Sequence, residues 1–92
     1  MAVEIQSREV RRGDGAIELT GLEFDLLAAL MRRAGRVVPR TSLLSEAGRE
    51  DVVVSERTVD VHISHLRKKI GDDPKSPRII KTVRGKGYRW GG

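Results

Sequence analysis

The sequence has no cysteine. That excludes a disulfide scaffold and any thiolate metal site, and it suits a reducing cytoplasm. Aromatic residues are scarce. Phe24, Tyr88 and Trp90 are the only ones in 92 residues, so aliphatic side chains must supply most of the core. No apolar run approaches the roughly 20 residues needed to cross a bilayer. The first residues show no secretory leader pattern, so a cytoplasmic protein away from membranes is expected. The length fits one domain over residues 1–92, and a domain this small depends on each large apolar anchor it can bury.

Acidic residues thin out along the chain. Residues 1–56 hold 8 Lys/Arg against 10 Asp/Glu, whereas residues 57–92 hold 10 Lys/Arg against 3 Asp/Glu. The halves therefore carry net charges of −2 and +7. A basic half of this kind either forms a solvated surface or meets a polyanion on one face.

The apolar pattern divides the chain into an N-terminal sheet (residues 1–19), three helices (20–71) and a hairpin (78–90). Val3-Glu4-Ile5-Gln6 and Ala16-Ile17-Glu18-Leu19 alternate apolar with polar residues, as half-buried strands do. Glu9-Val10-Arg11-Arg12 makes a third strand, closed by the turn signal Gly13-Asp14-Gly15. Thr20-Gly21-Leu22-Glu23 fits a capping box, in which Thr20 covers an orphan amide and Glu23 reaches back. Phe24, Leu27, Leu30, Met31 and Ala34 then recur at helical spacing, and Gly35 ends that helix. Val37-Val38-Pro39 reads as an extended link. A shorter helix is expected over about 40–47, with Leu43 and Leu44 inward and Gly48 as its stop.

The third helix carries the most information. Ser55 is a suitable N-cap, and Gly71 with Pro74 marks the far end. At 100° per residue, Val59, Ile63, Leu66 and Ile70 form one buried stripe. Arg57, Val61, Ser64, His65 and Lys68 lie opposite. Arg67 and Lys69 fall on the flanks. Residues 78–83 and 88–90 read as strands around the turn Arg84-Gly85-Lys86-Gly87.

Together these elements predict an α+β, winged helix-turn-helix fold. The physical reading is direct. A buried stripe anchors the third helix, and its outer face is shaped for the major groove. There Arg57, His65 and Lys68 can donate to base edges, and Val61 can meet a thymine methyl. Arg67 and Lys69 would run beside phosphates. Arg84 and Lys86 project from a thin turn that suits a minor groove or a phosphate clasp, unless the glycines serve the turn alone.

Two other function classes fit parts of the sequence less well. Asp60, His62 and His65 lie near one another on the helix, but no third strong ligand follows and no H-E-x-x-H motif exists, so neither catalysis nor a metal or other cofactor is expected. Gly85-Lys86-Gly87 precedes no helix and makes no phosphate-binding loop. A winged helix can also serve as a protein-docking module, and the valines at 52–54 offer a small apolar surface. The concentration of positive charge over the third helix and hairpin favours DNA over that alternative.

Three blocks resemble the effector domain of OmpR/PhoB-type response regulators: L-T-G-L-E-F-D-L-L at 19–27, R-T-V-D-V-H-I-S-H-L-R-K-K-I-G at 57–71 and K-T-V-R-G-K-G-Y-R at 81–89. The resemblance covers residues 3–90. It implies a bacterial transcription factor with an N-terminal sheet, a three-helix core and a C-terminal wing. By position, Arg57, Thr58, His62 and Arg67 match residues at or near phosphates, and Val61 and His65 match base-reading residues. Arg84 matches the wing residue at the minor groove, while Thr82 and Tyr88 match positions beside the backbone. Ser64, Lys68 and Lys86 join this set from their place on the outer face and wing tip. The resemblance further implies an RNA polymerase contact through the loop from Gly48 to Val54, tandem dimers on direct repeats, and control by phosphorylation of a separate receiver domain. No receiver domain lies within these residues, so the chain is expected to be an effector fragment or a stand-alone protein. Four features depart from the family pattern. The N-terminal sheet is one strand short of the usual four, Pro39 stands where a Ser cap is common, the aromatic residue usual before Gly48 is missing, and His65 replaces a common Arg or Asn.

Overall fold

The computed structural model describes residues 2–47, 55–73 and 75–91. Strands β1 (Ala2–Glu4), β2 (Glu9–Arg12) and β3 (Gly15–Ile17) form an antiparallel sheet in the order β1-β2-β3. Val10 pairs with Val3 on one side and Ile17 on the other. These three residues therefore share a face, and Val10 is buried against the core while its neighbours are half-buried. β1 and β3 are shorter than the alternation suggested, and Ile5 is left exposed beyond β1.

The β1–β2 turn is held by Arg8, a non-glycine residue at φ 58°. That conformation costs about 1–3 kcal/mol. Its guanidinium lies 4.5 Å from the Phe24 ring centroid and donates to Asp25 Oδ1 at 2.9 Å and the Gly21 carbonyl at 3.1 Å. These contacts offset the backbone cost and pin the turn to the first helix.

Helix α1 (Gly21–Arg32) starts with the capping box read from the sequence. Thr20 Oγ1 accepts the Glu23 amide at 3.2 Å, and Glu23 Oε1 accepts the Thr20 amide at 2.9 Å. The helix ends earlier than its apolar period suggested, so Ala34 is exposed in the following turn. Burial is also broader than one stripe. Leu22, Phe24, Leu26, Leu27, Ala28, Ala29 and Leu30 are all buried, because α1 packs against both other helices and the last strand.

Helix α2 (Arg40–Ala47) has the expected bounds, with Leu43 buried and Leu44 half-buried. Helix α3 (Glu56–Ile70) is capped by Ser55, whose Oγ accepts the Thr58 amide at 3.3 Å. Val59, Ile63, Leu66 and Ile70 have no exposed surface. Burying each is worth about 1.5–3 kcal/mol. At the C-terminus the Asp72 amide donates to the Arg67 carbonyl and the Gly71 amide to the Lys68 carbonyl. This Schellman pattern needs a left-handed residue, and Gly71 supplies it at φ 78°. Arg12 Nη1 donates to the Ile70 carbonyl and ties the N-terminal sheet to the same end.

The C-terminal hairpin consists of β5 (Ile80–Val83) and β6 (Gly87–Trp90). The link at residues 37–39 is more than a connection. Val37–Val38 forms β4, which pairs with β6 and gives a three-stranded sheet in the order β4-β6-β5. Gly87 makes this possible. A Cβ there would sit 2.1 Å from the Val38 carbonyl oxygen, so any side chain would force the two strands apart. Arg78 and Ile79, read as part of a strand, precede β5 and are held by Asp72 instead.

Candidate nucleic-acid interface

The buried stripe of α3 dictates what its other side offers. Arg57, Val61, Ser64, His65 and Lys68 are exposed, and Val61 retains 47% of its surface. Thr58 and His62 are half-buried at the border of this face. Thr58 Oγ1 lies 2.8 Å from Ser55 Oγ, and the His62 and His65 rings meet edge to face with centroids 6.3 Å apart. Three Lys/Arg in the last turn, Arg67, Lys68 and Lys69, complement the negative end of the helix dipole.

The wing supplies the second group. Arg84 and Lys86 are exposed at its tip, and the Lys86 amide closes the turn onto the Val83 carbonyl at 2.9 Å. Thr82 is exposed on β5. Between the wing and the start of α2 lies a notch of about 160 Å³, walled by Arg40, Asp60, Thr82, Arg84, Lys86 and Tyr88 among others.

Two of the expected contact residues are engaged inward. Arg67 Nε and Nη2 donate to the Ile80 carbonyl at 3.0 and 2.7 Å, and Nη2 also reaches Thr82 Oγ1 at 2.7 Å. Tyr88 is buried, and its hydroxyl donates to Asp60 Oδ1 at 2.6 Å. Burial and the neighbouring Asp60 carboxylate push the tyrosine pKa up to about 12, so it stays a donor across the neutral range. Lys69, placed on a flank by its position, likewise turns inward. Its Nζ meets Glu23 Oε1 at 2.6 Å and links α3 to the α1 capping box. Burial raises the Glu23 pKa, but the Lys69 ammonium and the hydrogen bonds at Thr20 outweigh it and hold the carboxyl below its ordinary value.

The structure also shows partners that sequence spacing hides. Asp60 accepts from Arg40 Nη1 at 2.8 Å as well as from Tyr88. Asp72 accepts the backbone amides of Arg78, Ile79 and Ile80 at 2.8, 3.1 and 2.9 Å and thereby aims the chain into β5. Burial alone would raise its pKa. The three amides and the Arg67 charge win, and the net displacement is downward.

A family model described as "Transcriptional regulatory protein, C terminal" matches residues 14–90. The chain belongs to this family. This regulatory domain is 50% identical over 76 residues to the alkaline phosphatase synthesis transcriptional regulatory protein PhoP of Bacillus subtilis, a match covering 83% of the chain and 32% of PhoP. It is 41% identical over 90 residues to the probable transcriptional regulator ycf27 of Porphyra purpurea, covering 96% of the chain and 37% of that protein. It thus spans well under half the length of these relatives.

Among solved structures, the regulatory domain is similar to the Klebsiella pneumoniae RstA DNA-binding domain in complex with the RstA box. The identity is 38% and the TM-score 0.82, over 96% of this chain and 87% of that one. It is also similar to Thermotoga maritima DrrB, described as an OmpR/PhoB homolog, with 39% identity and a TM-score of 0.85 over 98% of this chain and 41% of that one. The winged helix-turn-helix fold and the OmpR/PhoB kinship expected from the sequence both hold. The family is one of transcriptional regulators rather than enzymes. Among the described residues, no helix is long and apolar enough to cross a membrane.

Proposed function

We propose that this domain binds duplex DNA sequence-specifically as the output domain of a bacterial response regulator. α3 enters the major groove and the wing lies at the adjacent minor groove. The observation that carries the reading is the joining of two exposed cationic elements into one surface. The outer face of α3 presents Arg57, Val61, Ser64, His65 and Lys68. The wing presents Arg84 and Lys86, and its base is hydrogen-bonded to α3. A surface of this kind lets base edges be read while phosphates on either side are gripped. That the similar RstA domain was solved on its DNA box supports the same assignment.

On this reading Val61 and His65 read bases, with Ser64 and Lys68 beside them. Arg57, Thr58, His62, Thr82 and Lys86 approach the backbone, and Arg84 enters the minor groove. The notch beside Thr82 and Tyr88 seats a phosphate. In the whole protein, an N-terminal receiver domain controls binding, two copies occupy direct repeats, and the protein works in the cytoplasm. Contact with RNA polymerase belongs to the loop at 48–54, which lies outside the described residues.

Salt dependence tests the electrostatic part. About 6 phosphate contacts give a log–log slope of roughly −5 for binding against salt concentration. Fluorescence anisotropy of a labelled duplex, titrated from low to moderate salt, reads the slope directly. A flat response overturns the DNA reading and hands the surface to protein docking.

A further inference from the structure

The geometry points to Asp60 and Arg67 as positioning residues that brace the wing against the recognition helix, so that gripping and reading act as one rigid unit. This rests on the DNA-binding reading above. Beyond the apolar packing of Ile80 and Tyr88 in the shared core, two polar side chains of α3 hold the hairpin at two points among the described residues. At the first, Arg67 spans the Ile80 carbonyl and Thr82 Oγ1 on β5, with its guanidinium 5.5 Å from the centre of the Tyr88 ring. At the second, about 10 Å earlier along the helix, Asp60 holds the Tyr88 hydroxyl on β6 and the Arg40 guanidinium at the start of α2.

Thr82 and Tyr88 are directly opposed in the β5–β6 register. The two clamps therefore grip both strands of the hairpin at the same level, just below the tip that carries Arg84. The β4–β6 pairing anchors one edge of the hairpin. The two clamps, separated along α3 and seated on different strands, add resistance to pivoting of the hairpin about either contact alone. Arg67 uses its planar fork on the protein itself, and it acts on DNA through the wing rather than through a phosphate. Lysine keeps the charge at such a site but cannot reproduce the fork.

The test is a double-mutant cycle on the duplex that the unmodified domain selects best from a random-sequence library. Arg84→Ala is measured alone, in Arg67→Lys and in Tyr88→Phe. Alone it is expected to weaken binding about tenfold. In either braceless background the same change is expected to cost less than about threefold, because a displaced wing no longer delivers Arg84 to its groove. Equal factors in all three backgrounds overturn the brace and return Arg67 to a direct phosphate contact. Tyr88→Phe removes one hydroxyl and decides the matter should Arg67→Lys fail to fold. Amide exchange in the free protein is a second readout. Both variants should speed exchange at residues 83–86 at least about tenfold while α1 is unchanged. If the unmodified domain binds no duplex, the DNA reading falls by itself, and unaltered exchange then overturns the brace as well.

Discussion

Two residues on the same helix, two positions apart, should behave as opposites. Ile63 has no exposed surface, whereas Val61 keeps 47% of its own. Ile63→Ala removes three carbons from the centre of the core. Transfer at about 0.8 kcal/mol per carbon, together with the cavity left behind, gives a loss of about 3–4 kcal/mol. For a domain of this size, each kcal/mol corresponds to roughly 4–8 °C in Tm, so the melting point should fall by at least about 12 °C. Ile63→Val should cost about 1 kcal/mol and guards against complete unfolding of the alanine variant. Val61→Ala removes two carbons that mostly face water, and alanine is the better helix former, so stability should move by less than about 0.5 kcal/mol. Its effect should instead appear on DNA, as about 1 kcal/mol less discrimination at one base position. Urea unfolding followed by far-UV circular dichroism reads the stabilities, and selection from a random-sequence library reads the preference. A Val61→Ala variant as destabilised as Ile63→Ala, with its preferred sequence unchanged, would refute the orientation of α3.

Other perturbations follow from the same geometry. Asp72 has a depressed pKa in the folded state, so its stabilising contribution is full above the unfolded value and disappears as pH falls through the folded one. Asp72→Asn should cost about 1–3 kcal/mol at neutral pH and flatten the acid side of the stability profile; an acid limb as steep as that of the unmodified domain would show that the carboxylate charge is not what holds the start of β5. Arg84→Ala should leave the melting point within the scatter of surface substitutions, about 0.5 kcal/mol. On DNA it should lose more affinity when the flank under the wing is A·T-rich, because an arginine favours a narrow minor groove. Equal losses on both flanks would reduce Arg84 to a backbone contact.

The helices were legible in the sequence because local chemistry determined them. Thr20 and Glu23, Ser55, and Gly71 each act on backbone groups within a few residues, and the Val59–Ile63–Leu66–Ile70 spacing fixes which side of α3 is buried. The exposed outer face follows by subtraction. What escaped was long-range. β4 is only two residues long, and its partner lies fifty positions away in β6, so nothing local distinguishes it from a link. The partners of Asp60 are 20 and 28 residues distant. The sequence placed Asp60 beside two histidines, and the fold places it between Arg40 and Tyr88. Arg67 and Lys69 illustrate the same limit. Helical geometry puts both on a flank of α3, but only the packed wing and α1 reveal that their charged ends turn toward Ile80 and Glu23. The early end of α1 has a plainer cause. The chain must leave the helix in time for Val37 and Val38 to reach β6, and this leaves Ala34 outside the core.

The central claim is that one side of the domain, α3 and the wing together, meets duplex DNA. Chemical-shift mapping of the isotope-labelled domain against its selected duplex tests it most directly. The expected result is that the largest changes fall on residues 57–68 and 82–88, with β1, β2 and β3 nearly unmoved. Changes concentrated on the N-terminal sheet, or none at all on the outer face of α3, would contradict it.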